Sequence, residues 1–283
     1  MGSNFLAPRW IQDDMEFERR YTKTDLYVRS ADSMFDTLLK LIKFRATAAK
    51  RRIKKRFNRL LFPTSISPLH INAFYNPMAN SIAILFALAH EPFFHPLLPV
   101  AYNYGALGSV AGHEIMHAFD SNGVFYDYRG QRISWLDRKS KARFDRMAKC
   151  LRSQYDRFCF RDEDNKLLCQ DGRKALGENI ADNASLKSLY AAYQRHKKLI
   201  GAEKRLPAPF SNYSMDQVFF MSAARPWCQN SPESTRLQFY AGATHSLPRF
   251  RVLGPMQNMP QFQRAFHCQS GTGMVPKKRC KIW

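Results

Sequence analysis

Two histidines four residues apart, His113 and His117, enclose a glutamate, Glu114, in the sequence His-Glu-Ile-Met-His. On a helix such residues share a face, so both imidazoles could reach one metal ion. Imidazole nitrogen suits Zn²⁺, and a catalytic zinc site uses three protein ligands and one water. Glu114 could then take a proton from that water, whose pKa the metal lowers. The motif also fits a buried helix with two hydrogen-bonded histidines, but burying these three polar residues together is costly without a metal or partners.

A third ligand would come from a second predicted helix, which carries Glu178 and Asp182 in the sequence Gly-Glu-Asn-Ile-Ala-Asp. These carboxylates are four residues apart and share a face. One could bind the metal while the other hydrogen-bonds the free ring nitrogen of a ligand histidine, which fixes the tautomer. Asp120, three residues after His117, could serve the other histidine. Each aspartate alone equally fits an ordinary charge at a helix end, but together with the histidine motif the metal interpretation is favoured.

The elements that must position these residues are mostly helical, and strand signals are sparse. Apolar residues at helical spacing, with few glycines or prolines, predict helices over 14–61, 104–120, 137–157, 175–198 and 214–224. Continuous apolar stretches predict extended segments over 71–75 and 82–88. Pro, Gly and Ser beyond residue 226 predict loops with short helices. The helix over 104–120 carries both histidines, and the helix over 175–198 carries both carboxylates.

The charge of the chain is strongly positive and uneven. Lys and Arg number 44 against 23 Asp and Glu, which gives a formal net charge of +21. The stretch from Lys40 to Arg59 contains no acid and interleaves cations with apolar residues, as a basic amphipathic helix does. A solvated helix face explains this stretch more simply than a patch for nucleic acid or anionic lipid. No nucleic-acid-binding motif accompanies the charge, so no nucleic-acid partner is expected.

The cysteines and the N-terminal region bear on cellular location. The six cysteines are Cys150, Cys159, Cys169, Cys228, Cys268 and Cys280. None forms a CxxC pair, and their even number fits disulfides in an oxidising compartment. Cys159 and Cys169 could pair locally. No apolar run approaches the roughly 20 residues of a membrane anchor, and no signal peptide is recognisable. Disulfides in an oxidising compartment conflict with the lack of a signal peptide, and we therefore expect the natural N-terminus to be missing.

Five stretches, in order, resemble the catalytic part of the neprilysin and endothelin-converting-enzyme family of zinc peptidases. They are Asn72 to Pro77, Gly112 to Asp120, Gly177 to Asn183, Ala243 to Arg251, and Cys280 to Trp283. The match is close over residues 70–283 and loose over 14–69. Five ordered motifs are far more specific than the histidine motif alone.

The resemblance implies a fold and a metal site. The fold would be mainly α with a small β element, a thermolysin-like zincin catalytic domain that lacks the family's N-terminal lobe. Residues 1–62 would form a basic helical segment leading into a catalytic domain at 63–283. One Zn²⁺ per chain would be bound by His113, His117 and Glu178. Glu114 would act as the general base and then protonate the leaving amine.

The resemblance also implies roles in orientation and substrate contact. Asp182 and Asp120 would orient the ligand histidines, and Asp182 is therefore counted among the catalytic residues. His245 would stabilise the oxyanion. The residues implied to bind the substrate are Asn72, Ala73 and Arg251. The first two would hold its backbone extended, as a strand edge does. The arginine would donate to a substrate carbonyl beyond the scissile bond.

Family members also carry a membrane anchor and an N-terminal lobe that closes over the active site, and neither is recognisable here. The resemblance would pair Cys150 with Cys280, and would pair Cys228 and Cys268 with cysteines that this sequence lacks. The last two are therefore expected to be free thiols. Cysteine content and resemblance together predict an extracellular or cell-surface location.

Three functions fit the sequence. The leading one is a zinc endopeptidase that hydrolyses small extracellular peptides. The second is a catalytically impaired or regulatory zinc-binding fragment of such a peptidase, because the closing lobe is missing. The third is a basic module that binds anionic surfaces through the stretch from Lys40 to Arg59.

Overall fold

The structure, a computed structural model, describes residues 2–6, 13–16, 29–53, 67, 69–242 and 244–283. These residues are mainly helical, as predicted. The helices are α1 (Met34–Ile53), α2 (Val100–Gly105), α3 (Leu107–Met116), α4 (Arg138–Tyr155), α5 (Leu176–Ile200), α6 (Met215–Ala224), α7 (Glu233–Gly242), α8 (Pro248–Gln257) and α9 (Pro260–Ala265). The strands are β1 (Gly2–Leu6), β2 (Ala73–Asn76), β3 (Ser81–Leu85), β4 (Cys159–Arg161) and β5 (Leu167–Cys169).

Strands β1, β2 and β3 form a small three-stranded sheet. Its strands lie in the order β1-β3-β2, with β1 parallel and β2 antiparallel to β3. The central strand is buried from Ile82 to Leu85, which explains its continuous apolar sequence. The extended segment predicted over 82–88 is therefore correct only up to Leu85, because residues 86–88 form a 3₁₀ turn. Strand β2 lies at an edge of the described sheet.

Helices α3 and α5 approach each other closely at Gly112. A Cβ atom on this residue would lie 2.6 Å from the Ser185 hydroxyl and 2.8 Å from a methyl group of Leu189, so a larger residue would force these side chains to move. The same crossing brings the end of α3, with His113 in its last turn and His117 directly after it, against the first turns of α5. The packing of these two helices therefore sets the distance between the predicted metal ligands.

Two hydrophobic cores hold α5 on opposite sides. Tyr193 joins a core made largely by α2, α6 and α9, in which Phe219 and Phe220 are fully buried. Ile180 joins the other core, where Tyr155 packs with residues of α8 and of the C-terminus. Aromatic rings and branched side chains of this kind contribute most of the buried apolar area in such cores.

The predicted helices agree with the structure over 137–157, 175–198 and 214–224, within a few residues at each end. The helix predicted over 104–120 is broken at Ala106, which separates α2 from α3. The unbroken helix predicted over 14–61 is wrong at residues 29–33. There Ser33 and Asp36 cap the start of α1 by reciprocal hydrogen bonds, so a helix begins anew. Residues 17–28 and 54–61 of that prediction lie outside the described residues.

The disulfide predictions are confirmed. Cys150 is bonded to Cys280 and Cys159 to Cys169, while the other two cysteines are free. Within the part of the chain that the structure describes, no helix is both long and apolar enough to cross a membrane. The basic stretch is described only as far as Ile53, and the predicted boundary at residues 62 and 63 also lies outside the described residues.

Candidate metal centre

His113 of α3, His117 directly after the end of that helix, and Glu178 of α5 converge on one point. The Nε2 atoms of His113 and His117 lie 2.9 Å apart. Glu178 approaches both, with Oε2 3.2 Å from His113 Nε2 and Oε1 3.7 Å from His117 Nε2. One ligand atom from each residue lies within 4.8 Å of the others. This spacing is suited to a single metal ion held by two nitrogens and one carboxylate.

The buried groups of this cluster fit a cation. Glu178 Oε2 is buried and lies 3.0 Å from His245 Nε2 and 3.2 Å from His113 Nε2, but neither contact has hydrogen-bond geometry, so the oxygen has no hydrogen-bond partner. A buried oxygen left in this way is costly, and a metal ion would satisfy it. Two imidazole nitrogens facing each other also lack room for two protons. The donor set therefore fits Zn²⁺ with an open fourth position.

Carboxylates hold the far ring nitrogen of each histidine. His113 Nδ1 lies 2.8 Å from Asp182 Oδ1, and His117 Nδ1 lies 2.6 Å from Asp120 Oδ2. Each contact turns the Nε2 atom toward the ligand cluster and fixes the tautomer that binds metal. Both aspartates thus occupy the places that their spacing predicts.

Asp120 also closes the loop after α3. Its Oδ1 atom accepts the backbone N–H groups of Asn122 and Gly123, each at 2.6 Å. The chain turns back so tightly that a Cβ atom on Gly123 would lie 1.8 Å from the carbonyl oxygen of His117. The carboxylate that orients His117 is therefore itself held by the backbone of a turn that needs glycine.

Asp182 joins His113 to a buried arginine from α8. Arg251 donates from Nε and Nη2 to the two oxygens of Asp182, both at 2.8 Å. Its guanidinium lies over the Trp227 ring, 4.1 Å from the centroid. Burial would raise the pKa of Asp182, but Arg251 and His113 outweigh it and lower that pKa to about 2. The carboxylate is consequently charged whenever the protein is folded near neutral pH.

The two glutamates of the site differ in proton affinity. Burial raises the pKa of Glu114, and the electrostatic effect of the neighbouring His113 and His117 offsets this rise only in part. Burial acts in the same direction on Glu178, but the rings of His113 and His245 outweigh it and hold its pKa far below the usual range. One carboxylate is therefore suited to carry a proton and the other to remain an anionic ligand.

All the predicted site residues line one cleft of about 720 Å³. Asn72 and Ala73 lie at its sheet wall, where Ala73 pairs with Ile84 of β3. His245 also lines the cleft, 3.0 Å from Glu178, with 41% of its side chain exposed. The structure brings these residues together, and their roles in catalysis remain predictions.

Three residues that support the site have no assigned role in the sequence analysis. Asn179 accepts a hydrogen bond from the Ser246 hydroxyl at 2.8 Å, and Gln170 accepts the Leu247 N–H at 2.9 Å. Both bonds hold the segment that carries His245. Asn179 lies inside the Glu178 motif, which is a signal that could have found it. Trp227 under Arg251 has no comparable local signal.

Comparison with known proteins identifies the family. The sequence profile of Peptidase family M13 matches residues 72–282. Membrane metallo-endopeptidase-like 1 of Mus musculus is 34% identical over 278 residues, which is 98% of this chain and 35% of that protein. Endothelin-converting enzyme 1 of Bos taurus is 34% identical over 277 residues, again 98% of this chain and 35% of that protein. The chain thus spans about a third of the length of these relatives.

Solved structures agree in fold. The Haemonchus galactose containing glycoprotein complex matches with a TM-score of 0.85 and 30% identity, over 100% of this chain and 45% of that chain. The zinc metalloprotease Zmp1 of Mycobacterium tuberculosis, in complex with an inhibitor, matches with a TM-score of 0.83 and 25% identity, over 100% and 41%. The mainly α zincin fold with a small β element is confirmed, and the chain belongs to Peptidase family M13.

Proposed function

We propose that the chain carries the zinc centre of an endopeptidase that hydrolyses small extracellular peptides. The observation that carries this proposal is the convergence of His113, His117 and Glu178 around an unsatisfied buried oxygen, inside a cleft with a strand edge. Two disulfides support an oxidising location outside the cell. Because the chain spans about a third of its curated relatives, the activity of the whole protein is part of the proposal.

The substrate would lie extended along the outer edge of β2. That edge pairs with no described strand, so its backbone groups are free to bind a peptide as an added strand. The Asn72 side chain accepts the Ala73 N–H at 2.9 Å, which fixes the start of the strand. Arg251, whose Nε and Nη2 atoms bind Asp182, would offer its remaining nitrogen to a substrate carbonyl.

A bound Zn²⁺ would supply Lewis acidity, which lowers the pKa of water and polarises the scissile carbonyl. Glu114 would accept a proton from the attacking water on its carboxylate and then donate it to the leaving amine. Its raised pKa suits this shuttle, because a base that is too weak cannot hold the proton. His245 would donate its Nε2–H to the developing oxyanion. Asp182 and Asp120 would keep the two histidines oriented throughout.

A single substitution tests this assignment. Glu114→Gln should keep about one zinc per chain, measured by elemental analysis, yet reduce hydrolysis of a fluorogenic peptide library by about 10²–10⁴-fold, the usual contribution of general acid–base catalysis. Glu163→Gln, the same change in the exposed loop between β4 and β5, should leave both quantities unaltered. Unchanged turnover in Glu114→Gln would remove Glu114 from this role, and a folded protein that takes up no zinc would contradict the proposal.

A catalytically impaired zinc-binding portion of a peptidase is the second candidate. It is favoured by one observation, the limited share of the relatives' length that the chain covers. The same sample separates the candidates, because bound zinc with no cleavage of any library peptide by the unaltered chain would identify the second.

A further inference from the structure

A second cavity of about 850 Å³ lies beside the loop that follows α3. Four aromatic rings line it, those of Phe119, Trp135, Phe144 and Trp283. We refer to this cavity as the aromatic groove. Its lining residues differ from those of the metal cleft, so the groove is a separate site.

The walls of the groove are held in place from several directions. Phe144 of α4 stacks on the C-terminal Trp283, with ring centroids 6.4 Å apart and ring planes at 24°. The disulfide between Cys150 and Cys280 fastens the C-terminal segment to the same helix. Lys187 adds hydrogen bonds to the carbonyl oxygens of Ile282 and Trp283, at 2.7 and 2.5 Å. The groove is thus preformed, as ligand sites usually are.

The rings remain open to solvent although they share one concavity. Phe119, Trp135 and Trp283 are 42%, 46% and 53% exposed. Aromatic side chains with an apolar body and a partly exposed ring are the preferred anchors of protein interfaces. A concave surface that leaves three such rings exposed therefore indicates a binding surface rather than a core.

The charged residues that line the groove are all cations. Arg143, Arg146 and Lys281 line it, and no aspartate or glutamate does. Over the described ranges, none of these three cations forms an ion pair with a carboxylate. The groove thus offers three cations without a carboxylate ion pair beside apolar rings, although Asp137 lies near enough to Arg143 to interact with it, and a complementary ligand would carry negative charge.

We propose that the aromatic groove binds an acidic segment of a partner protein that carries an aromatic or large aliphatic side chain. The apolar side chain would insert between Trp135 and Trp283, and carboxylates would pair with Arg143, Arg146 and Lys281. A fatty acid would need an enclosed channel to bury its chain, whereas an open groove with exposed rings suits a peptide. This binding does not depend on zinc or on peptidase activity.

Fluorescence anisotropy with a labelled peptide tests the proposal. The probe is fluorescein-labelled Glu-Glu-Phe-Glu-Leu-Glu, added to the full chain in the Glu114→Gln background so that it is not cleaved. Two control probes replace every Glu by Lys, or Phe and Leu by Ala. We expect saturable binding of the first probe and at least about tenfold weaker binding of each control, because both the charges and the apolar anchor are needed.

Variants locate the binding. Arg146→Glu should weaken the first probe by at least about tenfold, since a close like charge replaces an attractive one. Lys149→Glu changes the same charge on the same helix but does not line the groove, so it should have little effect. Trp135→Ala tests the apolar anchor, with circular dichroism as the folding control. Equal loss in Arg146→Glu and Lys149→Glu, or equal binding of the probe with Ala in place of Phe and Leu, would overturn the proposal.

Discussion

The metal cleft and the aromatic groove share the loop from His117 to Phe125 but differ in how their charges are partnered. In the cleft, the buried charges bind one another, as Asp182 does with Arg251 and His113. In the groove, the cations are exposed and no described carboxylate pairs with them. A buried charge without a partner is costly, so the fold must supply one. An exposed cation keeps its water and remains available for an external ligand.

The largest effect should come from removing the anionic ligand of the cleft. Glu178→Gln keeps the shape of the side chain but removes its charge from the cluster. Zinc affinity, measured by competition with a chromogenic chelator, should fall by more than the roughly 10–100-fold expected for loss of an orienting partner. Glu163→Gln again serves as the exposed control. Unchanged zinc affinity would show that Glu178 is not a metal ligand, and would contradict the contrast drawn between the cleft and the groove.

A smaller but substantial effect should follow from neutralising a paired charge. Asp182→Asn leaves the buried Arg251 without its counter-charge, and a single carbonyl oxygen remains to accept from Arg251 and His113. Breaking a buried pair in this way typically costs about 3–5 kcal/mol. Urea denaturation in the presence of a chelator should show this loss of unfolding free energy, which is then independent of metal. A loss below about 1 kcal/mol would show that the arginine finds another partner.

The smallest effect should come from neutralising an unpaired charge of the groove. Arg143→Gln removes an exposed cation that has no described ion pair. The free energy of unfolding should change by no more than about 0.5 kcal/mol, as for most surface substitutions. The same urea titration measures it. A loss comparable to that of Asp182→Asn would mean that the folded chain depends on this cation, contrary to the contrast between the two sites.

Local spacing predicts much of the metal centre. The four-residue interval between His113 and His117, and that between Glu178 and Asp182, place each pair on one helix face whatever the rest of the fold does. The contact between Asp120 and His117 follows from their separation of three residues. These relationships depend on backbone geometry alone, and the structure contains each of the contacts that they predict.

Contacts between distant parts of the chain could not be predicted in this way. Asp182 and Arg251 are 69 residues apart, and only the packing of α8 against α5 joins them. Gly105, next to the break at Ala106, is likewise in contact with a distant segment, because a Cβ atom on it would lie 2.0 Å from the Ser222 hydroxyl of α6. The rings of the aromatic groove come from separate segments, so no window of sequence reveals that they meet. Tertiary packing decides these features, and local patterns carry little information about it.

The disulfide between Cys150 and Cys280 makes the two sites unequal under reducing conditions. It joins residues 130 positions apart, and a closure of that length is worth about 4–5 kcal/mol in the chain-entropy account. The segment that it fastens carries Lys281 and Trp283, which form one wall of the groove. The predicted metal ligands lie on α5 and on α3 with the residue directly after it, and no disulfide joins these two helices. Reduction would therefore loosen the groove while leaving the predicted zinc ligands in register, so that redox conditions would act on the proposed partner binding before they act on the proposed metal binding.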